Sequence, residues 1–168
     1  MAKTSCKRST AKRRVPEKRE YRSGDSLTIR WLLQMDMPDV VRMDRLLFGL
    51  DSWVEDDFTV LLKSHLCVGL VATSHDYVVG YIIYEWSKNR VDLLRLCVLP
   101  EVQRQTIGTQ MIACLKHKLV ASQKCKHLVA DVPDDQLAMQ LFLKEQGFIA
   151  SSIQNDEGKE VYRMVYTL

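Results

Sequence analysis

The sequence predicts a single α/β domain: a mixed, mostly antiparallel sheet of about seven strands, with a central parallel pair and helices on both faces. Three observations lead there. The chain has 168 residues, of which 46% are apolar and 27% charged, which suits one globular core and argues against disorder or a fibrous repeat. Its apolar periodicities and turn residues give the order β-α-α-β-β-β-α-β-α-β-β. Within that order, residues 91–146 read strand, helix, strand, helix, which demands a right-handed crossover and parallel pairing in mid-sheet, whereas the hairpins on either side demand antiparallel pairing.

The first strand is Leu27 to Leu33, apolar and following the turn-forming Gly24, Asp25 and Ser26. Asp36 or Asp39 caps the next helix, with Pro38 in its first turn and Val40, Met43 and Leu47 forming one stripe toward an end near Gly49. Ser52 with Glu55 three residues on reads as a capping box for a second helix through about Leu62. Leu66 to Ala72 and Tyr77 to Trp86 form a hairpin around Ser74, His75 and Asp76, and Val91 to Leu99 makes a third strand that stops at Pro100. A loop then leads to a helix over Ile107 to Ser122, with Ile107, Met111, Leu115 and Leu119 four apart on one face. Lys126 to Val132 is a buried strand. Pro133, Asp134 and Asp135 open a helix with Leu137, Ala138, Leu141 and Phe142 inward and its end at Gly147. Phe148 to Ile153 and Lys159 to Tyr166 close the domain around the Asn155 to Gly158 loop.

Charge divides the chain. Residues 1–26 hold nine Lys or Arg against three acidic residues, a charge of +6, while the remainder carries −3. With little to bury, this basic stretch reads as a disordered tail ahead of a domain over 27–168. It is either a solvated extension or a loose contact for nucleic acid or the ribosome through phosphates. It lacks the apolar stretch of a secretory signal, Ala2 excludes myristoylation, and nothing approaches the roughly 20 apolar residues of a membrane span. Five cysteines without a C-x-x-C pair suggest neither a disulfide framework nor zinc, so reduced thiols in the cytoplasm fit best; the four histidines show no metal-ligand spacing.

The richest stretch is Leu96 to Met111, L-C-V-L-P-E-V-Q-R-Q-T-I-G-T-Q-M. A strand passes through a polar loop directly into a helix, whose first free N–H groups point into the loop. Such an end attracts phosphate, helped here by Arg104. It is not a P-loop and not a G-x-G-x-x-G turn, and by itself it also suits an ordinary strand-to-helix connection capped by Thr106 or water.

This run strongly resembles motif A of the GNAT acetyltransferase superfamily, in which V-x-P ends a central strand and Q/R-x-x-G-x-G/A wraps the pyrophosphate of acetyl-coenzyme A. Gln103, Arg104, Gln105, Thr106, Ile107 and Gly108 occupy the hexad, with Val98 and Pro100 in register before it. The stretch D-V-P-D-D-Q-L-A-M-Q-L-F-L-K-E-Q-G-F resembles motif B, and Phe48, Trp53 and Phe58 look like the ribosomal-protein alanine N-acetyltransferase subgroup. The resemblance covers about residues 27–168. It implies a GNAT-like fold and an N-acetyltransferase that uses acetyl-coenzyme A and no metal. It places Leu96, Cys97, Val98, Thr109 and Gln136 beside the hexad as coenzyme contacts. Three departures stand out: Thr106 replaces the first glycine of the hexad, Gln136 replaces the usual Asn of motif B, and Leu143 replaces the tyrosine that protonates the leaving thiolate.

In this superfamily the amine attacks the thioester directly. By resemblance the backbone of Leu96 to Val98 pairs with the pantetheine arm, the Val98 amide serves the oxyanion, and Asp131 aligns with the base of the N-terminal acetyltransferases; at a strand end Asp131 equally reads as a cap or ion-pair partner. Under direct attack the Cys97 side chain matters little, which leaves a Cys97 nucleophile as the minor reading. Tyr162, Tyr166 or Tyr84 are the candidates to replace the missing acid. An α-amine of pKa about 8 is easier to serve than a lysine near 10.4, which costs about 4.6 kcal/mol to deprotonate at pH 7, so an α-amine suits the site better, and the subgroup resemblance points to that of a protein N-terminus. The alternatives are a catalytically weak acyl-coenzyme A-binding module and a small-molecule amine acetyltransferase. Acceptor identity and oligomeric state are not encoded in these motifs.

Overall fold

A computed structural model describes residues 26–156 and 158–168, so the predicted basic tail lies outside the described residues except for Ser26. The expected element order holds. β1 (Leu27–Trp31) leads to α1 (Met37–Phe48) and α2 (Glu55–Leu62), then β2 (Cys67–Ser74), β3 (Tyr77–Trp86) and β4 (Arg90–Val98). α3 (Ile107–Ser122), β5 (His127–Pro133), α4 (Leu137–Glu145), β6 (Ile149–Asp156) and β7 (Lys159–Thr167) follow. The seven strands lie in the order β1-β2-β3-β4-β5-β7-β6, and only β4 and β5 run parallel.

Each face of the sheet has its own core. On one, Ile107, Met111, Ile112, Leu115 and Leu119 of α3 pack with Leu143 of α4 against Ile82, Tyr84, Leu96 and Leu128. On the other, Met37, Val40 and Met43 of α1 and Phe58 of α2 cover Val71, Tyr81, Ile83 and Cys97. Burying such side chains contributes about 1.5–3 kcal/mol each, which is why the four-residue period of α3 and the i, i+3 spacing of α1 decide which helix face turns inward.

Two local expectations are corrected. The Ser52–Glu55 capping box does not form: α2 starts at Glu55, and Asp57 accepts the N–H of Val54 at 2.8 Å. The inward stripe of α4 is also different. Leu137 and Leu141 are 60% and 52% exposed and Ala138 is exposed, Phe142 is half-buried, and Leu143 is wholly buried. The docking of α4 turns Met139 and Leu143, rather than the equally apolar outer pair, toward the core and toward Ala130 and Val132 of β5.

The feature that makes a site is a short ladder. β4 and β5 pair only from Arg90↔His127 to Leu93↔Ala130. A bulge opposite Ile83 and Tyr84 falls between Leu93 and Arg95, leaving Leu94 out of the pairing with β3. Beyond it the parallel strands separate, while β5 continues to pair with β7 as far as Pro133 and β4 with β3 as far as Val98.

Candidate active site

The separation opens a cleft of about 390 Å³ that passes through the sheet. Leu93, Leu96, Ala130, Val132, Met139 and Leu143 line it from the α3/α4 side, together with Gln136. Phe48, Asp51, Leu94, Arg95, Asp131 and Lys159 line the side toward α1 and the start of β7.

Strand alternation decides which backbone groups face this cleft. The Leu99 N–H donates to the carbonyl of Val79 on β3 at 3.0 Å, so the peptide groups of Val98 and Leu96 turn the other way, toward the gap. The carbonyl of Val98 is already used, accepting from Gln103 Nε2 at 2.9 Å; its N–H is the group left for an incoming acyl oxygen or pantetheine amide. Gln103 thus folds back on β4 and braces the loop. Cys97 projects to the opposite face, 2% exposed, and burial pushes its thiol up to about 12, so it is neutral at working pH and unsuited to nucleophilic attack.

The loop enters α3 through two strained residues. Arg104 has φ +58° and Thr106 φ +66°, the left-handed region that costs an ordinary L-residue about 1–2 kcal/mol and is especially unusual for a β-branched one. As N-cap, Thr106 accepts the first helical bond from Gln110 N at 2.9 Å, and its hydroxyl accepts from Gln110 Nε2 at 3.1 Å instead of capping an amide. The amides of Ile107, Gly108 and Thr109 thereby head the helix without a side-chain cap, as phosphate binding requires. Gly108 is needed by close packing: a Cβ there would lie 3.2 Å from the ring Cζ of Phe142, which locks α4 against the first turn of α3. Arg104 is exposed at the rim, and the Gln105 side-chain oxygen is buried without a partner. The Thr109 hydroxyl lies 3.5 Å from Gln146 Nε2. Gln136 is the N-cap of α4 and lines the cleft.

Asp131 stands on the far wall, but both of its oxygens accept from Arg163, at 2.8 and 2.7 Å. This pairing, chiefly through hydrogen bonding, raises the Arg163 guanidinium pKa. Leu143 occupies the wall with a side chain that can donate no proton. None of the three tyrosines lines the cleft. Tyr84 is 1% exposed, with its phenol pushed upward by burial, and Tyr166 is stacked beneath Lys116. Tyr162 is half-buried on the α3/α4 face and sits directly across from Val132, a cleft residue, as the buried Tyr84 sits across from Leu93.

Sequence reasoning missed a buried network behind the cleft. Asp44 of α1 is fully buried, accepting hydrogen bonds from the Tyr81 hydroxyl and from the Trp53 N–H. Arg95 of β4 stacks between the rings of Phe48 and Trp53, 3.9 and 4.4 Å from their centroids. The signals were an arginine inside the apolar run L-L-R-L-C-V and an aspartate next to Met43 on an inward helix stripe. Among the described residues no cluster of His, Cys, Asp or Glu is arranged to hold a metal ion.

A strand gap reaching through a sheet, with backbone donors on one lip and an uncapped helix end beside it, is the geometry expected of a coenzyme-dependent transferase. The profile of the acetyltransferase (GNAT) family matches residues 29–148, and the chain belongs to that family; it is an acyl-coenzyme A-dependent N-acetyltransferase. Among solved structures it is similar to the ribosomal-protein-S18-alanine N-acetyltransferase of Escherichia coli, with TM-score 0.75 and 17% identity over 84% of this chain and 94% of that one. It is also similar to Arabidopsis thaliana Naa50 in complex with the bisubstrate analogue CoA-Ac-MVNAL, with TM-score 0.73 and 15% identity over 85% and 99%. An aminoglycoside 6'-N-acetyltransferase complexed with coenzyme A gives TM-score 0.73 and 16% identity over 83% and 96%. At these identities the likeness shows the fold. No curated protein sequence matches the chain.

Proposed function

We propose that this enzyme transfers the acetyl group of acetyl-coenzyme A to a primary amine, with the N-terminal α-amine of a protein as the favoured acceptor. The observation that carries the reading is the through-going cleft, because direct transfer needs donor and acceptor to meet from opposite faces of the sheet. The pyrophosphate rests on the amides of Ile107, Gly108 and Thr109, with Arg104 and Gln105 at the loop and Gln136 across it. Pantetheine fills the missing rungs beside Leu96 and Val98. That neighbours of this fold were solved with coenzyme A, acetyl-coenzyme A or a bisubstrate analogue supports coenzyme binding.

The amine enters on the Asp131 side and its nitrogen attacks the thioester carbonyl carbon. The Val98 N–H stabilises the oxyanion that develops, the C–S bond breaks, and the thiolate leaves. Asp131, its carboxylate fixed by Arg163, holds the ammonium and passes its proton to water. Tyr162 protonates the thiolate; a thiol of pKa near 8.5 needs only modest help. An α-amine suits so lightly equipped a site better than a lysine. Five cysteines without a C-x-x-C pair fit reduced thiols in a cytoplasmic setting.

Thiol release from acetyl-coenzyme A, measured against peptides, free amino acids, polyamines and aminoglycosides, tests the assignment. Turnover is expected with α-amines and weaker with lysine side chains; release with aminoglycosides alone would point to the small-molecule alternative.

A further inference from the structure

Arg95 lines the acceptor side of the cleft with its side chain only 13% exposed, yet it spends little of its hydrogen-bonding capacity on the protein. A guanidinium carries five N–H donors. Nη2 donates to the carbonyl of Asp51 at 2.6 Å. Nε is ion-paired with the buried Asp44 Oδ1 at 3.6 Å but makes no hydrogen bond, so the charge of the pair is balanced while donor capacity remains. Asp44 is held in place by the Tyr81 hydroxyl and the Trp53 N–H, one on each oxygen. Phe48 and Trp53 clamp the plane of the guanidinium so that it cannot swing out to water. Buried donors are normally satisfied, and a fixed fork of this kind matches a carboxylate.

The rest of the wall agrees. Lys159 adds a second cation, and the charge of Asp131, one of the two lining carboxylates, is balanced by Arg163, so the wall does not repel an acceptor carboxylate. We propose that Arg95 is a specificity-determining residue that receives a carboxylate of the acceptor, so that the enzyme prefers amines bearing a carboxylate a few bonds away. That carboxylate belongs either to a free amino acid or to an acidic side chain in the first residues of a peptide. The inference rests on the acetyltransferase function proposed above.

The test uses the full-length protein, acetyl-coenzyme A and matched acceptors in a thiol-release assay. One arm compares free amino acids with their amides; the other compares peptides carrying Asp or Glu at positions one to three with their Asn or Gln counterparts. In at least one arm the carboxylate form should win by about tenfold or more in kcat/KM, mainly through acceptor KM, the size expected for one charge-assisted fork. The arm that responds identifies the source of the carboxylate. Arg95→Gln should bring the preference to within about threefold while leaving the acetyl-coenzyme A KM unchanged, and Arg95→Lys should retain part of it. Lys159→Gln should weaken the same preference and serves as the second variant should Arg95→Gln fail to bind coenzyme. Equal rates for both forms in the wild type, or a preference that survives Arg95→Gln, overturns the role of Arg95 and leaves the acetyltransferase assignment standing. Absence of release from every acceptor overturns both.

Discussion

Leu93 and Ala130 form the last rung of the parallel ladder between β4 and β5. One residue later β4 bulges at Leu94, and from there Leu96, Asp131 and Leu143 border the same opening instead of being sealed in a continuous sheet. The enzyme's chemistry depends on that interruption, and four variants probe what surrounds it.

Thr106 sits in a left-handed conformation that suits glycine, and in the proposed binding mode its Cβ would stand beside the diphosphate. Thr106→Gly is expected to tighten acetyl-coenzyme A binding severalfold by calorimetry while changing stability by no more than about 1 kcal/mol, since relieved strain offsets the added chain entropy. Weaker binding would show that the threonine hydroxyl contributes directly.

Gly108→Ala acts in the opposite direction. Its Cβ would press within 3.2 Å of the Phe142 ring and push α4 away from the phosphate loop. Coenzyme KM should rise by about tenfold or more with a thermal midpoint lower by several degrees, the scale of an overpacked contact. Wild-type kinetics would mean that Phe142 yields without cost.

Tyr162→Phe should lower kcat by up to about tenfold with little change in either KM, a smaller loss than the 10²–10⁴ typical of a strong general acid. An undiminished rate would remove Tyr162 as the acid and leave the thiolate to depart unaided.

Cys97 has a thiol raised from an ordinary value of 9.0 to about 12 by burial, so it is neutral throughout the working range. Cys97→Ala should keep most of the activity, and iodoacetamide at pH 8 should modify Cys97 only after unfolding. The sign of the linkage follows: the unfolded thiol loses its proton near pH 9 while the folded one retains it, so this stability is full below pH 9 and falls as pH rises toward 12. Denaturant titrations of wild type and Cys97→Ala between pH 8 and pH 11 should therefore diverge, with the wild type declining more steeply.

Much of this was legible in the sequence because it is local. Period and turn chemistry fixed the strands and α3, and the run from Val98 to Gly108 carried the resemblance to the family whose profile matches residues 29–148. What was hidden depends on docking. Nothing in L-A-M-Q-L-F-L says whether Leu137 and Leu141 or Met139 and Leu143 face inward, because both pairs are apolar at helical spacing. The Arg163 partner of Asp131 comes from a strand paired 32 residues away, and the Asp44–Tyr81–Arg95 assembly joins a helix to two strands; neither leaves a local pattern.

The central claim is tested most directly by a crystal structure with acetyl-coenzyme A bound. The account predicts the pyrophosphate within hydrogen-bond distance of the Ile107, Gly108 and Thr109 amides, and the thioester oxygen at the Val98 N–H inside the gap beyond Leu93 and Ala130. Coenzyme seated elsewhere, with Val98 N–H making no contact to the acyl group, would contradict it.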